Sequence, residues 1–158
     1  GNGPQNPIEA ITPQEFHLTM DLNVFSAFFT VQKVLPYMSD KSAIVLISSI
    51  AGFQGGKNAI VYNAAKAAVR SMARSFTGEL AERGIRANAI SPGPTDTKAF
   101  GEFVNNDDDV RHGIVSQIPV GHIGRPAEIA AVALFLASDQ SSYVTGAEVI
   151  TDGGFTNR

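Results

Sequence analysis

The chain contains no cysteine and no tryptophan, and only 8% of its 158 residues are aromatic. Without cysteine there is no disulfide framework, no thiol nucleophile and no thiolate metal ligand, a composition that suits the cytoplasm. Long apolar runs are also missing: the longest, 130–137, is far short of the ~18 residues a membrane span needs, so no membrane partner is expected. The histidines His17, His112 and His122 stand apart, without the spacing of a zinc site. With a net charge of -3 and no basic cluster, nucleic acid is not expected as a partner either.

What is present is 44% hydrophobic, enough for a real core. The continuous apolar run at 43–47 predicts a strand buried on both faces of a parallel sheet, and further strands are predicted at 85–90 and 147–151. Thr12-Pro13-Gln14-Glu15 is a capping box with proline at N1. It opens a helix whose apolar positions Phe16, Met20, Val24, Ala27, Phe28, Val31 and Leu35 recur at helical spacing until Pro36. The aromatics Phe25, Phe28 and Phe29 exceed one stripe. Met72, Ala73, Phe76 and Leu80 form the apolar face of the next helix, closed by Gly84, and a last helix opens at Pro126. Strands alternating with helices point to an α/β fold with a parallel sheet. A three-stranded sheet of this kind would leave an apolar edge on its first strand, so the chain is expected not to fold or act alone.

Tyr62 and Lys66 lie four residues apart, about one helical turn, and Ser49 lies thirteen residues before the tyrosine. A free phenol titrates near ~10, and a neighbouring ammonium favours its ionised form, so the pair predicts a general acid/base whose pKa the lysine lowers. A packed tyrosine beside a solvated lysine has the same spacing. Ser48 and Ser49 follow the first strand at its carboxyl end, where ligands bind in open α/β sheets, although a serine there also serves backbone groups. Then comes a glycine-rich loop, 50–58, with Asn58 as the expected N-cap of the Tyr62 helix. Between Thr97 and Pro119 no period persists, and 97–119 is expected to form a substrate-binding lid. Its Asp107-Asp108-Asp109 is expected as a solvated turn or helix start rather than a metal site.

Taken in order, Asn23 in Met20-Asp21-Leu22-Asn23-Val24, Ser48-Ser49-Ile50-Ala51-Gly52, the Tyr62/Lys66 pair, Arg86-Ala87-Asn88-Ala89-Ile90-Ser91-Pro92-Gly93 with Thr97 beyond it, and Val144-Thr145-Gly146 through Asp152-Gly153-Gly154 resemble the short-chain dehydrogenase/reductase family. The resemblance implies a Rossmann-like doubly wound parallel sheet, of which 1–158 supplies the C-terminal part of a single NAD(P)-binding domain. The first strands and the glycine-rich phosphate loop are absent from this chain. Gly1-Asn2-Gly3 then corresponds to a loop after the family's fourth strand, with an expression-tag scar as the alternative.

The resemblance further implies hydride transfer between NAD or NADP and a small carbonyl or secondary alcohol. Tyr62 would be the proton donor and acceptor, Lys66 would lower its pKa and hold the nicotinamide ribose, Ser49 would hold the substrate oxygen, and Asn23 would support a water relay to Lys66. Pro92, Gly93, Thr95 and Thr97 would line the nicotinamide pocket, and no metal would be needed. In the family the Asn23 and Tyr62 helices pair across a subunit interface, which implies a homodimer or homotetramer. Departures are small: Ala65 replaces a common serine, and His122 a common arginine. Ending just after Gly153-Gly154 fits a short-form member. The alternative is a non-catalytic fragment that lacks the dinucleotide cradle and acts only in association.

Overall fold

The computed structural model describes residues 3–157. Gly1 and Asn2, on which the reading of the Gly1-Asn2-Gly3 loop mostly falls, lie outside the described residues. Three parallel strands, β1 (Ala43–Ile47), β2 (Arg86–Pro92) and β3 (Glu148–Thr151), form one sheet in that order, with Ala43 beside Arg86 and Ala89 beside Glu148. The sheet is the α/β arrangement that the alternation predicts. β2 runs two residues past its predicted end, because Ser91 and Pro92 pair with Ile150 and Thr151. Proline is tolerated there, at the last position, where the next donor to the ladder is Gly93, 3.0 Å from the Thr151 carbonyl.

Helix α1 (Pro13–Met20) starts at the predicted capping box: Thr12 accepts from the Glu15 N–H while the Glu15 carboxylate accepts from the Thr12 N–H at 2.8 Å. It does not run uniformly to Pro36. A π-helical turn (Asp21–Phe25) separates it from α2 (Ser26–Val34), and the chain then tightens into a 3-10 turn, Leu35–Tyr37. α3 (Ile60–Glu79) is a single helix of 20 residues that carries Tyr62, Lys66 and the Met72/Phe76 face together. Asn58 is not its N-cap. Asn58 sits in the left-handed region at φ 62 and turns the loop, and Ala59 occupies the cap without a side-chain bond. Gly84, also left-handed, closes the 3-10 turn Ala81–Arg83 that follows α3 rather than α3 itself.

The 97–119 segment folds into α4 (Lys98–Phe103) and α5 (Asp108–Val115). Asp107 caps α5, accepting from the N–H groups of Asp109 and Val110, so the triple aspartate is a helix start. α6 (Pro126–Ala137) begins at the predicted proline.

Strand burial corrects one expectation. β2 is buried along its whole interior, but in β1 only Ile44 and Leu46 are buried, while Ile47 is 49% exposed. Side chains alternate along a strand, so only one face of β1 is fully covered. That face packs Ile44, Leu46, Ala87 and Ala89 against Val69 and Ala73 of α3, with Ala27 and Val31 of α2 alongside. Each large aliphatic side chain buried there contributes about 1.5–3 kcal/mol. Two arginines hold the helix ends to this frame. Arg83 donates to the carbonyls of Leu35 and Met38 just past α2, and Arg86 donates to those of Leu136 (2.9 Å) and Ser138 (3.0 Å) at the end of α6. A cation among the last carbonyls of a helix satisfies groups that have no partner within the helix.

Candidate active site

The candidate site begins where β1 ends. The Ser48 N–H continues the β ladder, donating to the Ile90 carbonyl at 2.7 Å, and the buried Ser48 hydroxyl donates to the Lys66 carbonyl at 2.8 Å. Ser49, half-buried, caps the 3-10 turn Ile50–Gly52, its hydroxyl accepting from the Ala51 N–H at 3.2 Å. This turn lies directly on α3. A Cβ at Gly52 would stand 3.0 Å from the Lys66 carbonyl carbon and 3.1 Å from the Ala67 nitrogen, so the close approach requires glycine.

Beside this turn, α3 carries Tyr62 and Lys66. The Ser49 hydroxyl lies near enough to the Tyr62 phenol to favour its ionised form. Lys66, only 6% exposed, donates to the Ile47 carbonyl at 3.1 Å, and its Nζ stands 5.7 Å from the centre of the Tyr62 ring. Burial pushes the phenol above its ordinary value, and the neighbouring Ser49 hydroxyl offsets only part of that. Burial likewise pushes the lysine below its ordinary value. The direction for Tyr62 is therefore opposite to the one its spacing from Lys66 predicts. Desolvation of a half-buried phenol outweighs a cation whose nearest partner is a strand carbonyl.

Asn23 occupies the π-helical turn and is buried, its amide donating to the Thr19 carbonyl at 2.8 Å. Thr19 and Ser26 make the same kind of bond four residues back, to Glu15 at 2.8 Å and Leu22 at 2.6 Å. Three back-bonding side chains within eight positions compete with the backbone ladder, which is the local reason for the loosened turn. Gly3 packs beneath: a Cβ there would lie 2.9 Å from Thr19 and 3.2 Å from the Tyr62 Cβ.

At the end of β2, Pro92 and Gly93 reach the same end of the sheet as Ser49. Gly93 meets the C-terminal turn so tightly that a Cβ would stand 2.6 Å from the Asp152 Cβ. The Thr95 hydroxyl donates to the Gly93 carbonyl at 2.9 Å, and Thr95 bridges to Gly124. Thr97 is exposed and caps α4, accepting from the Phe100 N–H at 3.2 Å. Ser49, Tyr62 and Lys66 are thus brought together at the carboxyl end of β1, Pro92 and Gly93 form the adjoining strand end, and Thr97 is exposed further along the chain.

Several supporting residues lie outside the set of candidate site residues. Asn88, fully buried, clamps the loop before β3, donating to the Val144 carbonyl at 2.9 Å and accepting from the Ala147 N–H at 3.0 Å. A polar residue inside an otherwise apolar strand is the sequence signal for such a clamp. Glu148 joins α3 to two strands, pairing with Arg70 at 3.3 Å and accepting from the Ser91 hydroxyl at 2.7 Å. Among the described residues there is no group of three metal-ligating side chains and no helix long and apolar enough to cross a membrane.

A family model described as enoyl-(acyl carrier protein) reductase matches residues 1–156. The chain belongs to the short-chain dehydrogenase/reductase family. An uncharacterized oxidoreductase, YhxC of Bacillus subtilis, is 38% identical over 95% of this chain and 52% of its own length. The 3-oxoacyl-[acyl-carrier-protein] reductase FabG of Thermotoga maritima is 38% identical over 89% of this chain and 57% of its own. A gluconate 5-dehydrogenase from Burkholderia cenocepacia, solved in complex with NADP and tartrate, superposes with a TM-score of 0.92 at 28% identity, over the whole of this chain and 62% of that one. The chain therefore spans little more than half the length of these curated family members.

Proposed function

We propose that the protein is an NAD(P)-dependent oxidoreductase that interconverts a small carbonyl compound and its secondary alcohol. The observation that carries this reading is the Ser49 hydroxyl near the Tyr62 phenol, with the buried Lys66 one helical turn further along α3 and its Nζ 5.7 Å from the Tyr62 ring centre. Ser49 and Tyr62 would bind the substrate oxygen together, and Tyr62 would pass a proton to it or take one from it. General acid/base catalysis of this kind contributes about 10²–10⁴-fold. The phenol's raised pKa favours the protonated form, which suits donation to a carbonyl.

Lys66 and the end of β2 would hold the nicotinamide half of the cofactor. Lys66 has three donors, and its ammonium makes one hydrogen bond to the described residues, to Ile47, which leaves donors for the ribose hydroxyls. Pro92, Gly93, Thr95 and Thr97 would border the nicotinamide ring and its carboxamide, and Asn23 would support a water relay behind Lys66. The cofactor, when bound, supplies or accepts the hydride. No phosphate-binding glycine fingerprint occurs in this sequence, so these residues account for the nicotinamide end only. The 97–119 helices would cover the substrate. Exposed Leu22, Phe25 and Ile60 on the Asn23 and Tyr62 helices fit self-association into a homodimer or homotetramer.

Fluorescence titration with NADH and NADPH, followed by turnover of wild type and Tyr62→Phe, tests the reading. The expected result is nucleotide binding by both proteins and loss of turnover in the variant. Retained turnover in Tyr62→Phe defeats the role given to Tyr62, and absence of nucleotide binding favours a non-catalytic fragment.

A further inference from the structure

The C-terminal turn contacts both the Pro92-Gly93 strand end and the base of the 97–119 segment. On one side, the Asp152 backbone lies against Gly93, whose N–H donates to the Thr151 carbonyl at 3.0 Å. On the other, the Gly153 carbonyl accepts from the Val120 N–H at 3.2 Å, at the point where the 97–119 segment returns to the core. Gly153 and Gly154 are both left-handed, at φ 64 and 87, and this conformation seats them under the segment's base. A Cβ on Gly153 would stand 2.6 Å from Val120 and 2.8 Å from Ile118, and one on Gly154 would stand 3.0 Å from Pro119.

The Asp152 side chain maintains these two consecutive left-handed residues. One oxygen accepts from the Gly154 N–H at 2.9 Å, and the other from the Thr156 N–H at 2.9 Å and the Thr156 hydroxyl at 2.7 Å. Burial works against the charge, yet the Thr156 and Gly154 bonds together hold the carboxyl below its usual value. The segment's far end has a separate tether: Arg111 of α5 pairs with Asp96 at 3.0 Å and lies 5.6 Å from the Phe100 ring centre.

We infer that Asp152 is a positioning residue: by folding the Gly153-Gly154 turn onto its own carboxylate, it fixes the base of the 97–119 segment against the Pro92-Gly93 strand end and so sets the height of that segment over the substrate. Its geometric part stands on contacts alone. Only the kinetic consequence rests on the oxidoreductase reading.

Hydrogen exchange and limited trypsin digestion of the purified protein test it. Asp152→Asn keeps the shape but replaces one acceptor oxygen with an amide donor. Amide exchange at Val120 and cleavage at Arg111 and Lys98 are expected to rise about tenfold, the scale of losing one hydrogen bond to a charged group. Amides of Ala87 and Ala89 in β2 should stay protected. Thr156→Val, which removes only the hydroxyl, should show a smaller rise at the same places, and it decides the matter if Asp152→Asn does not fold. In turnover assays, KM for the carbonyl substrate should rise with kcat changed by less than about twofold, as loss of uniform binding requires. Unchanged exchange at Val120 and unchanged cleavage at Arg111 overturn the inference, whether or not the protein turns over.

Discussion

The hydroxyl of Ser48 holds the backbone carbonyl of Lys66 at 2.8 Å, both groups out of contact with water. The strand tip that presents Ser49 is thereby fastened to the helix turn that presents Lys66. Ser48→Ala leaves a buried carbonyl without this donor, at a cost of about 1–3 kcal/mol. For a chain of this size that corresponds to a fall in Tm of roughly 2–4 °C per kcal/mol. Calorimetry should show a clear loss of Tm for Ser48→Ala and a smaller one for Ser49→Ala, whose hydroxyl is half-buried. Equal losses would mean that the clamp contributes nothing particular.

The ionisation of Tyr62 can be isolated by subtracting the ultraviolet titration of Tyr62→Phe from that of the wild type. The difference curve is expected to have its midpoint above 10.0, because burial disfavours the phenolate more than the nearby Ser49 hydroxyl favours it. Ser49→Ala, which removes the lowering effect of that hydroxyl, should move the midpoint higher still. A midpoint below 10.0 in the wild type would show that Lys66 dominates after all.

Stability should follow pH in two opposed steps. Lys66 is depressed by burial, so between its folded value and 10.5 the unfolded chain binds more protons and stability rises with pH. Tyr62 is raised, so above 10.0 the folded chain binds more protons and stability falls as pH climbs. Lys66→Met should remove the alkaline gain, and Tyr62→Phe should remove the later loss. Thermal melts at intervals from neutral pH to pH 11 check both signs, and a wild-type Tm that falls steadily over the range contradicts the first.

Gly93 and Gly55 make a matched pair of alanine substitutions. A Cβ at Gly93 meets Asp152 at 2.6 Å, whereas one at Gly55 meets nothing within 4 Å. Overpacking of this kind costs about 1–3 kcal/mol. Gly93→Ala should therefore melt earlier, and Gly55→Ala should melt at the wild-type temperature or slightly above. Equal Tm values would show that the C-terminal turn yields without cost.

Local chemistry made much of this legible in sequence. The Thr12/Glu15 capping box, Pro126 at the start of α6 and the three apolar strands each depend on neighbouring residues and appear where the pattern puts them. Asn58 failed because two kinds of loop geometry suit asparagine: a side-chain cap and a left-handed turn, and the chain uses the second. The pairing of Ser49 with Tyr62 could be read from their spacing, but the sign of the tyrosine's shift could not, since it depends on how much protein surrounds the phenol. Asn88, Glu148 and Asp152 escaped notice for a related reason. Their partners lie at Val144 and Ala147, Arg70 and Ser91, and Gly154 and Thr156, and only folding reveals which of these a polar residue meets.

The loosened turn at Asp21–Phe25 has a geometric effect beyond its own five residues. A π turn takes in one residue more than an α turn, and each residue advances a helix by about 100°. Everything from Ser26 to Val34 is thus rotated by roughly a quarter-circle relative to α1: the Phe25 ring, 56% exposed, stands 4.2 Å from that of Phe29 one turn on, while Phe28 stacks on Phe76 of α3. Excising a single position from this turn would straighten the rod and swing Ala27 and Val31 away from the core they now line, so the fold's first helix depends on an irregularity for its correct phase.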